Sequence, residues 1–337
     1  MRAFVITAPG QSEVRDVPEP VAGPGQVVVQ VARAGVCGTD LEIFSGHMSY
    51  LETGEASYPI RIGHEWCGVV TSAGEGAGRS WLGRWVAGDT MLGCGHCERC
   101  RRGRHYLCAD RYEIGIRNGW PGALAEYLLV PARALIPLPD GIDPMTGALV
   151  EPGGNALRAI DGAALTPGDR LLIIGPGTIG LLAALFARAQ GHEVHLAGTE
   201  LRTLDFARTL GFDHCWTASE LPALRFDAVI DASNSPEVPA QAARLVEPGG
   251  RLVLIGLSTV PSHLDTRALV LKDVTAVGVL GGSQGLARAA GLFATGAVDP
   301  RPLVAATLPL DQTPAALASS RPVTWPPPPK IHINPHQ

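Results

Sequence analysis

Four cysteines stand in the run Gly93-Cys-Gly-His-Cys-Glu-Arg-Cys-Arg-Arg-Gly-Arg-His-Tyr-Leu-Cys108, spaced C-x2-C-x2-C-x7-C. Thiolates this close together can wrap one tetrahedral zinc and leave it no open position, the mark of a structural site. Cys94, Cys97, Cys100 and Cys108 are therefore the candidate ligands of a structural zinc. Four thiolates on a divalent ion leave a net charge of about −2, and Arg99, Arg101, Arg102 and Arg104 stand beside them to offset it. An iron–sulfur cluster fits this spacing less well, and an anion-binding or nucleic-acid patch is the weaker reading of the arginines. A second donor set is dispersed: Cys37 in Gly35-Val-Cys-Gly-Thr-Asp40, His64 in Gly63-His-Glu65, and Glu151 before Pro152. Thiolate, imidazole and carboxylate are all zinc ligands, and three of them leave a fourth position for water or substrate. Taken singly, a cysteine or histidine such as these is more often a packed core residue.

A third pattern binds a different ligand. Gly175-Pro-Gly-Thr-Ile-Gly180 follows the apolar run Asp169–Ile174 and precedes a predicted helix, Thr178–Gln190. In that setting Gly175 permits a tight turn, Gly177 a close approach to a pyrophosphate, and Gly180 close helix–strand packing. Thr178 and Ile179 complete the turn, where free N–H groups and the helix dipole favour an anion. An acidic residue at the end of the next strand would bind a ribose 2′-OH. That place falls on Gly198, in Ala197-Gly-Thr-Glu-Leu-Arg202. A glycine there leaves room for a 2′-phosphate, which Thr199 and Arg202 are placed to hold, while Glu200 favours a hydroxyl. The balance leans to NADP over NAD.

The elements that must position these residues are of two kinds. Up to residue 148 short β segments dominate: Val27–Ala32, Cys67–Thr71, Arg84–Ala87 and Ala125–Val130, separated by Gly23-Pro-Gly25, Gly88-Asp89 and Pro139-Asp-Gly141. This predicts an antiparallel, barrel-like unit. From about residue 149, strands alternate with helices: Asp169–Ile174, Glu193–Ala197, Phe226–Asp231, Gly250–Gly256 and Val274–Val279, with helices over Thr178–Gln190 and Leu201–Leu210. That alternation predicts a doubly wound parallel α/β sheet. From about residue 285 the chain is expected to return to the first unit as helix and loop, with a stiff polyproline piece at Trp325–Lys330.

Composition excludes several classes. The chain has 337 residues, enough for about two domains, and a formal net charge of −5, which gives no footing on nucleic acid or anionic membrane. Its most apolar stretch, Leu171–Ala187, is broken by Gly-Pro-Gly and reads as strand, turn and buried helix rather than a membrane span. The N-terminal apolar run is too short for a signal peptide. Seven cysteines, four of them clustered, read as metal ligands in a reducing cytoplasm.

Taken together, Gly35-Val-Cys-Gly-Thr-Asp40, Gly63-His-Glu65, the four-cysteine lobe, Glu151-Pro152 and Gly175-x-Gly-x-x-Gly180 resemble the zinc-dependent medium-chain alcohol dehydrogenase family, in order and over nearly the whole chain. The resemblance implies a chaperonin-10-like catalytic barrel (residues 1–148 and 285–337) with a structural zinc lobe near 93–109, and a Rossmann domain (149–284). It also implies two zinc ions per subunit and a nicotinamide cofactor. The catalytic zinc would rest on Cys37, His64 and Glu151, and Thr39 would relay the alcohol proton. Asp40 would orient His64, and Glu65 would sit beside the metal. Some members carry a histidine three residues after the relay hydroxyl; here that place is Glu42. Glu151-Pro152 resembles the polyol and sugar branch, with sorbitol, threonine and glucose dehydrogenases. Gly63-His-Glu-Trp66, Gly83–Asp89 and Ile114–Gly119 look closest to 2-deoxy-scyllo-inosamine dehydrogenases. The implied reaction moves hydride between a secondary alcohol of a polyol, sugar or aminocyclitol and the cofactor. A simple alcohol or L-threonine dehydrogenase is the alternative, and a non-catalytic dinucleotide binder the alternative of another class. His47, Tyr50 and Trp120 are candidate pocket residues. The expected partners are a small alcohol or ketone and further copies of the chain, as homodimer or homotetramer paired through Val274–Val279.

Overall fold

The computed structural model describes residues 1–318 and 328–337; Trp325–Pro327 of the expected polyproline run lie outside them. Gln26–Val36 is the strand on which the first unit is built. Val27, Val29 and Val31 are fully buried and Gln30 faces out, the alternation of a half-buried strand. It pairs antiparallel with Glu65–Ala73, Tyr127–Pro131 and Lys330–Asn334. Val304–Pro309 lies outside Lys330–Asn334, and Trp85–Gly88 and Leu135–Pro137 extend the other edge, giving a seven-stranded sheet. This is the first of the two units expected from the sequence.

The second unit is a six-stranded, wholly parallel sheet. Its strands lie in the order Cys215–Trp216, Glu193–Ala197, Arg170–Ile174, Phe226–Asp231, Val246–Leu254, Thr275–Gly278. Numbered along the chain the order is 3-2-1-4-5-6, so winding reverses beside Arg170–Ile174. Ligands bind outside the carboxyl ends of the strands at such a reversal, and Gly175 follows that strand directly.

Helix Val150–Ala163 joins the two units. It packs on the helices Thr178–Ala189 and Leu286–Ala294, in one core that also holds Ala87 and Leu149. Glu151 stands in its first turn.

The tail differs from its expected form. Besides the expected helix, Leu286–Ala294, which packs through Leu286, Ala289 and Phe293 in the core of helix Val150–Ala163, it carries two strands, Val304–Pro309 and Lys330–Asn334, in the barrel sheet. Lys330-Ile-His-Ile-Asn334 alternates with a period of 2, but both faces are buried: Lys330 and His332 lie as deep as Ile331 and Ile333. A lysine and a histidine on a buried face hid the strand.

Candidate active site

The four lobe cysteines converge. One ligand atom from each of Cys94, Cys97, Cys100 and Cys108 lies within 4.8 Å of the others. Cys94 Sγ is 3.9 Å from Cys100 Sγ, and Cys97 Sγ 3.8 Å from Cys108 Sγ. Zinc–sulfur bonds of about 2.3 Å at tetrahedral angles place sulfurs about 3.8 Å apart, whereas a disulfide needs about 2.05 Å. The residues present therefore fit zinc. Backbone N–H groups of Cys97 and Cys94 donate to Cys94 Sγ and Cys108 Sγ. N–H groups of His96 and Cys97 pull the Cys94 thiol down to about 6. Arg102 pairs with Glu98, and Arg99 donates to Leu107 O, closing the loop.

Cys37 caps the helix Gly38–Ser45, which ends at Gly46 in the left-handed region. Asp40, fully buried in its first turn, accepts from Cys37 N at 2.8 Å and from Gly63 N at 3.2 Å. One carboxylate thus braces the loops that carry Cys37 and His64 to each other. Gly63, at φ 99°, approaches Leu124 so closely that a Cβ would lie 2.8 Å from its N. Thr90 Oγ1 donates to His64 O.

His64 turns Nδ1 toward Asp40 Oδ1 at 3.6 Å, which leaves Nε2 as the nitrogen for a metal. Burial disfavours charge on His64, but Asp40 and Cys37 outweigh it and hold its pKa well above 6.5. Cys37, His64 and Glu65 offer ligand atoms within 4.8 Å of one another. Glu151 does not join that set, yet it feels His64 and Glu65 electrostatically. Its Oε1 accepts from Asn155 Nδ2 at 3.0 Å. Burial pushes the Glu151 carboxyl up to about 7, with Glu65 adding to the rise and His64 opposing it. Lys330 offsets part of the charge here, yet three buried carboxylates, Asp40, Glu65 and Glu151, outnumber it; a divalent cation fits that deficit.

Thr39 is half-buried in the first turn after Cys37, and Glu42 lies one turn on, its carboxyl raised by burial against the pull of His47. His47 is exposed and bonded to Ser45. Tyr50 OH donates to Glu113 and Arg111 donates to both. Trp120 Nε1 donates to Leu129 O and its ring meets Tyr112 edge-on, a packing role.

At the sheet reversal, Gly175 has φ 99° and a Cβ there would lie 2.8 Å from the Ala232 backbone. A Cβ on Gly180 would lie 2.1 Å from Gly175 O. Gly177 is the opposite case: it caps the helix Thr178–Ala189, is exposed, and has nothing within 4 Å of a built Cβ. The open space and unpaired helix N–H groups beside Thr178 and Ile179 fit a dinucleotide phosphate. A Cβ on Gly198 would lie 2.9 Å from the Pro176 ring, so no side chain fits where the ribose-binding acid is usual. Thr199, Glu200 and Arg202 are exposed beyond it.

Among the described residues one more donor group exists, Glu193, His195 and His214. It does not fit a metal. The two imidazoles stack 4.4 Å apart at 8°, so their lone pairs do not converge. Trp216 Nε1 donates to His195 Nδ1, which leaves the proton on Nε2 to bond Glu193.

Comparison with known proteins gives the same picture. The family model for the alcohol dehydrogenase GroES-like domain matches residues 23–140, and that for zinc-binding dehydrogenases matches 178–295. L-threonine 3-dehydrogenase of Saccharopolyspora erythraea is 34% identical over 296 residues, 83% of this chain and 84% of that one. A zinc-binding dehydrogenase of Sinorhizobium meliloti, solved bound to NADP, shares 28% identity with a TM-score of 0.89 over 99% of both chains. Galactitol-1-phosphate dehydrogenase of Escherichia coli shares 26% with a TM-score of 0.88 over 99% of this chain and 100% of that one. Fold and site together define a zinc-binding, NAD(P)-dependent dehydrogenase acting on CH–OH donors. The chain belongs to the zinc-dependent medium-chain alcohol dehydrogenase family. Among the described residues no helix is long and apolar enough to cross a membrane.

Sequence reasoning missed Lys330, Asn155 and Asp89. Asn155 is one turn after Glu151, a spacing that puts both side chains on one helix face.

Proposed function

We propose that the protein oxidises a secondary alcohol of a polyol, sugar or aminocyclitol, or reduces the matching ketone, with NADP preferred over NAD. The observation that carries this reading is the convergence of Cys37, His64 and Glu65, with buried Glu151 of helix Val150–Ala163 near enough to feel His64 and Glu65 electrostatically. The catalytic zinc is assigned to Cys37, His64 and Glu151, and the structural zinc to Cys94, Cys97, Cys100 and Cys108. When bound, the catalytic metal supplies Lewis acidity at the alcohol oxygen, and nicotinamide supplies the hydride acceptor. Thr39 accepts the alcohol proton at its hydroxyl and passes it outward, with Glu42 or water as the next stop. Asp40 keeps Cys37 and His64 in register through its bonds to Cys37 N and Gly63 N. Gly177, Thr178 and Ile179 receive the cofactor pyrophosphate, on the turn that Gly175 and Gly180 allow. Gly198 leaves room for a 2′-phosphate beside Thr199 and Arg202.

The division proposed is a catalytic barrel made of the N-terminal part and the returning tail, around a nucleotide-binding sheet in between. A cytoplasmic homodimer or homotetramer, joined through the edge strand Thr275–Gly278, completes the reading. The likeness to galactitol-1-phosphate dehydrogenase supports a polyol substrate. The likeness to L-threonine 3-dehydrogenase favours a second reading, an amino acid bearing a secondary hydroxyl. Zinc-loaded protein with NADP or NAD is tested against polyols, sugars, aminocyclitols and L-threonine by nicotinamide absorbance. Turnover with cyclitols or polyols and little with threonine is the expected result. Faster turnover with threonine would replace the first reading by the second, and better rates with NAD would remove the assignment at Gly198. Cofactor binding without turnover across the panel would favour a non-catalytic dinucleotide binder.

A further inference from the structure

Glu113 is a buried carboxylate outside the metal group, and the reaction above gives it no part. It is 3% exposed, on the short strand Tyr112–Glu113, where it pairs with Met91. Tyr50 OH donates to its Oε1 at 3.2 Å, and Arg111 Nε donates to the same atom at 2.8 Å. Arg111 also donates to Tyr50 OH at 3.3 Å, so the three side chains close a ring of hydrogen bonds. Both bonds to the carboxylate end on Oε1; among the described residues none donates to Oε2.

The chain brings this ring to the metal centre. Ile114 N donates to Thr90 O, and Thr90 Oγ1 donates to His64 O, so the Glu113 strand is tied through Thr90 to a metal ligand. Gly115 is pressed so near Gly63 that a Cβ on it would lie 2.8 Å from Gly63 O. Tyr50 belongs to the short helix Ser49–Glu52, the next after the helix that carries Thr39. Met91, opposite Glu113, reaches the second unit: a Cβ on Gly281 would lie 2.9 Å from Met91 Cε. A carboxylate held in one orientation, with one oxygen committed and the other unused, is an acceptor waiting for a donor. Its burial makes that bond stronger than it would be in water.

Resting on the dehydrogenase reading proposed above, we infer that Glu113 sets substrate specificity: its Oε2 accepts from a hydroxyl or ammonium group of the substrate remote from the carbinol carbon. Tyr50 and Arg111 are positioning residues for it. The substrate is then a polyhydroxylated or amino-bearing alcohol; a phosphate or carboxylate at that place would meet the unpaired oxygen with like charge.

The test uses full-length, zinc-loaded protein with either dinucleotide and three probe alcohols: scyllo-inositol, scyllo-inosamine and cyclohexanol. Glu113→Gln keeps an oxygen for Tyr50 and Arg111 but turns the other atom from acceptor to donor. The ratio of kcat/KM for the inositol to that for cyclohexanol should fall about 10- to 100-fold, chiefly in KM. A larger fall for the inosamine assigns the contact to an ammonium, an equal fall to a hydroxyl. Tyr50→Phe removes one holder of the carboxylate and should move the same ratio less far in the same direction; it carries the test if the glutamine variant does not fold. An unchanged ratio in Glu113→Gln overturns the inference, because a merely structural ion pair would lower all three rates alike. Wild-type turnover of cyclohexanol with none of either substituted ring also overturns it and leaves the dehydrogenase reading intact. Cofactor binding with turnover of none of the three fails that reading itself, and the inference with it.

Discussion

Thr39 and Cys37 are separated by one residue, yet their substitutions should fail differently. Cys37→Ser or His64→Ala removes a metal ligand, so turnover falls by several kcal/mol, about 10³-fold, with dinucleotide binding retained in fluorescence titration. With Thr39 as the proposed proton carrier, Thr39→Ala should lower kcat about 10²–10⁴-fold while metal content stays at wild type, and Thr39→Ser should recover most of the rate. His332 sets a different dependence. Both its ring nitrogens are buried without a partner, and burial, with Lys330 and Arg33 adding to it, pushes its pKa from 6.5 down to about 3. As pH falls below 6.5 the unfolded chain takes up this proton and the folded chain does not, until about pH 3. Stability is therefore full above 6.5 and lost through that window, about 2 kcal/mol by pH 5. Urea midpoints should fall from pH 7.5 to 5, and His332→Leu should flatten that slope and raise the pH 5 midpoint. A wild-type slope surviving in His332→Leu would assign the loss to other groups.

The turn Gly175–Gly180 separates folding from binding within one element. Gly180→Ala pushes a methyl against Gly175 O and should lower the melting temperature as well as cofactor affinity. Gly177→Ala meets nothing in the protein, so it should melt as wild type yet bind dinucleotide about tenfold more weakly, a cost of ~1.4 kcal/mol. Equal binding by Gly177→Ala in calorimetry would mean the phosphate does not approach there. The same element shows what was legible beforehand. An apolar strand, a glycine turn and an apolar helix carry their signals locally, and each of these segments of the parallel sheet formed within a few residues of its expected bounds. Local pattern does not report a charged pair buried between strands. Lys330 and Glu65 are far apart in sequence, and Lys330 reads as a surface lysine until its partner is seen. The place of Gly198 was countable from the strand; that Pro176 forbids a side chain there was not.

Across the whole molecule, the cysteine lobe is fastened to the join of the two units. His105 bonds Asp89 at 2.6 Å, and Asp89 in turn accepts from Ser283 Oγ at 2.9 Å. Tyr106 OH donates to Gln284, and Arg158 lies over the Tyr106 ring while bonding Gly281 O. Loss of metal in Cys94→Ser should therefore raise hydrogen exchange at residues 281–285 as well as within the lobe; a change confined to the lobe would mean the fastening carries no load. The sheets also differ in how they are assembled in time. Every strand of the parallel sheet is drawn from Arg170 to Gly278, so it is complete while the chain is still being made. The barrel's hub strand waits for a neighbour whose Lys330 bonds Val36, 294 positions earlier in the chain. On a ribosome that makes ~5–20 residues per second, the cofactor-binding half can fold and bind seconds before Glu65 receives its lysine, so the nascent chain holds a dinucleotide before it is able to do chemistry with it.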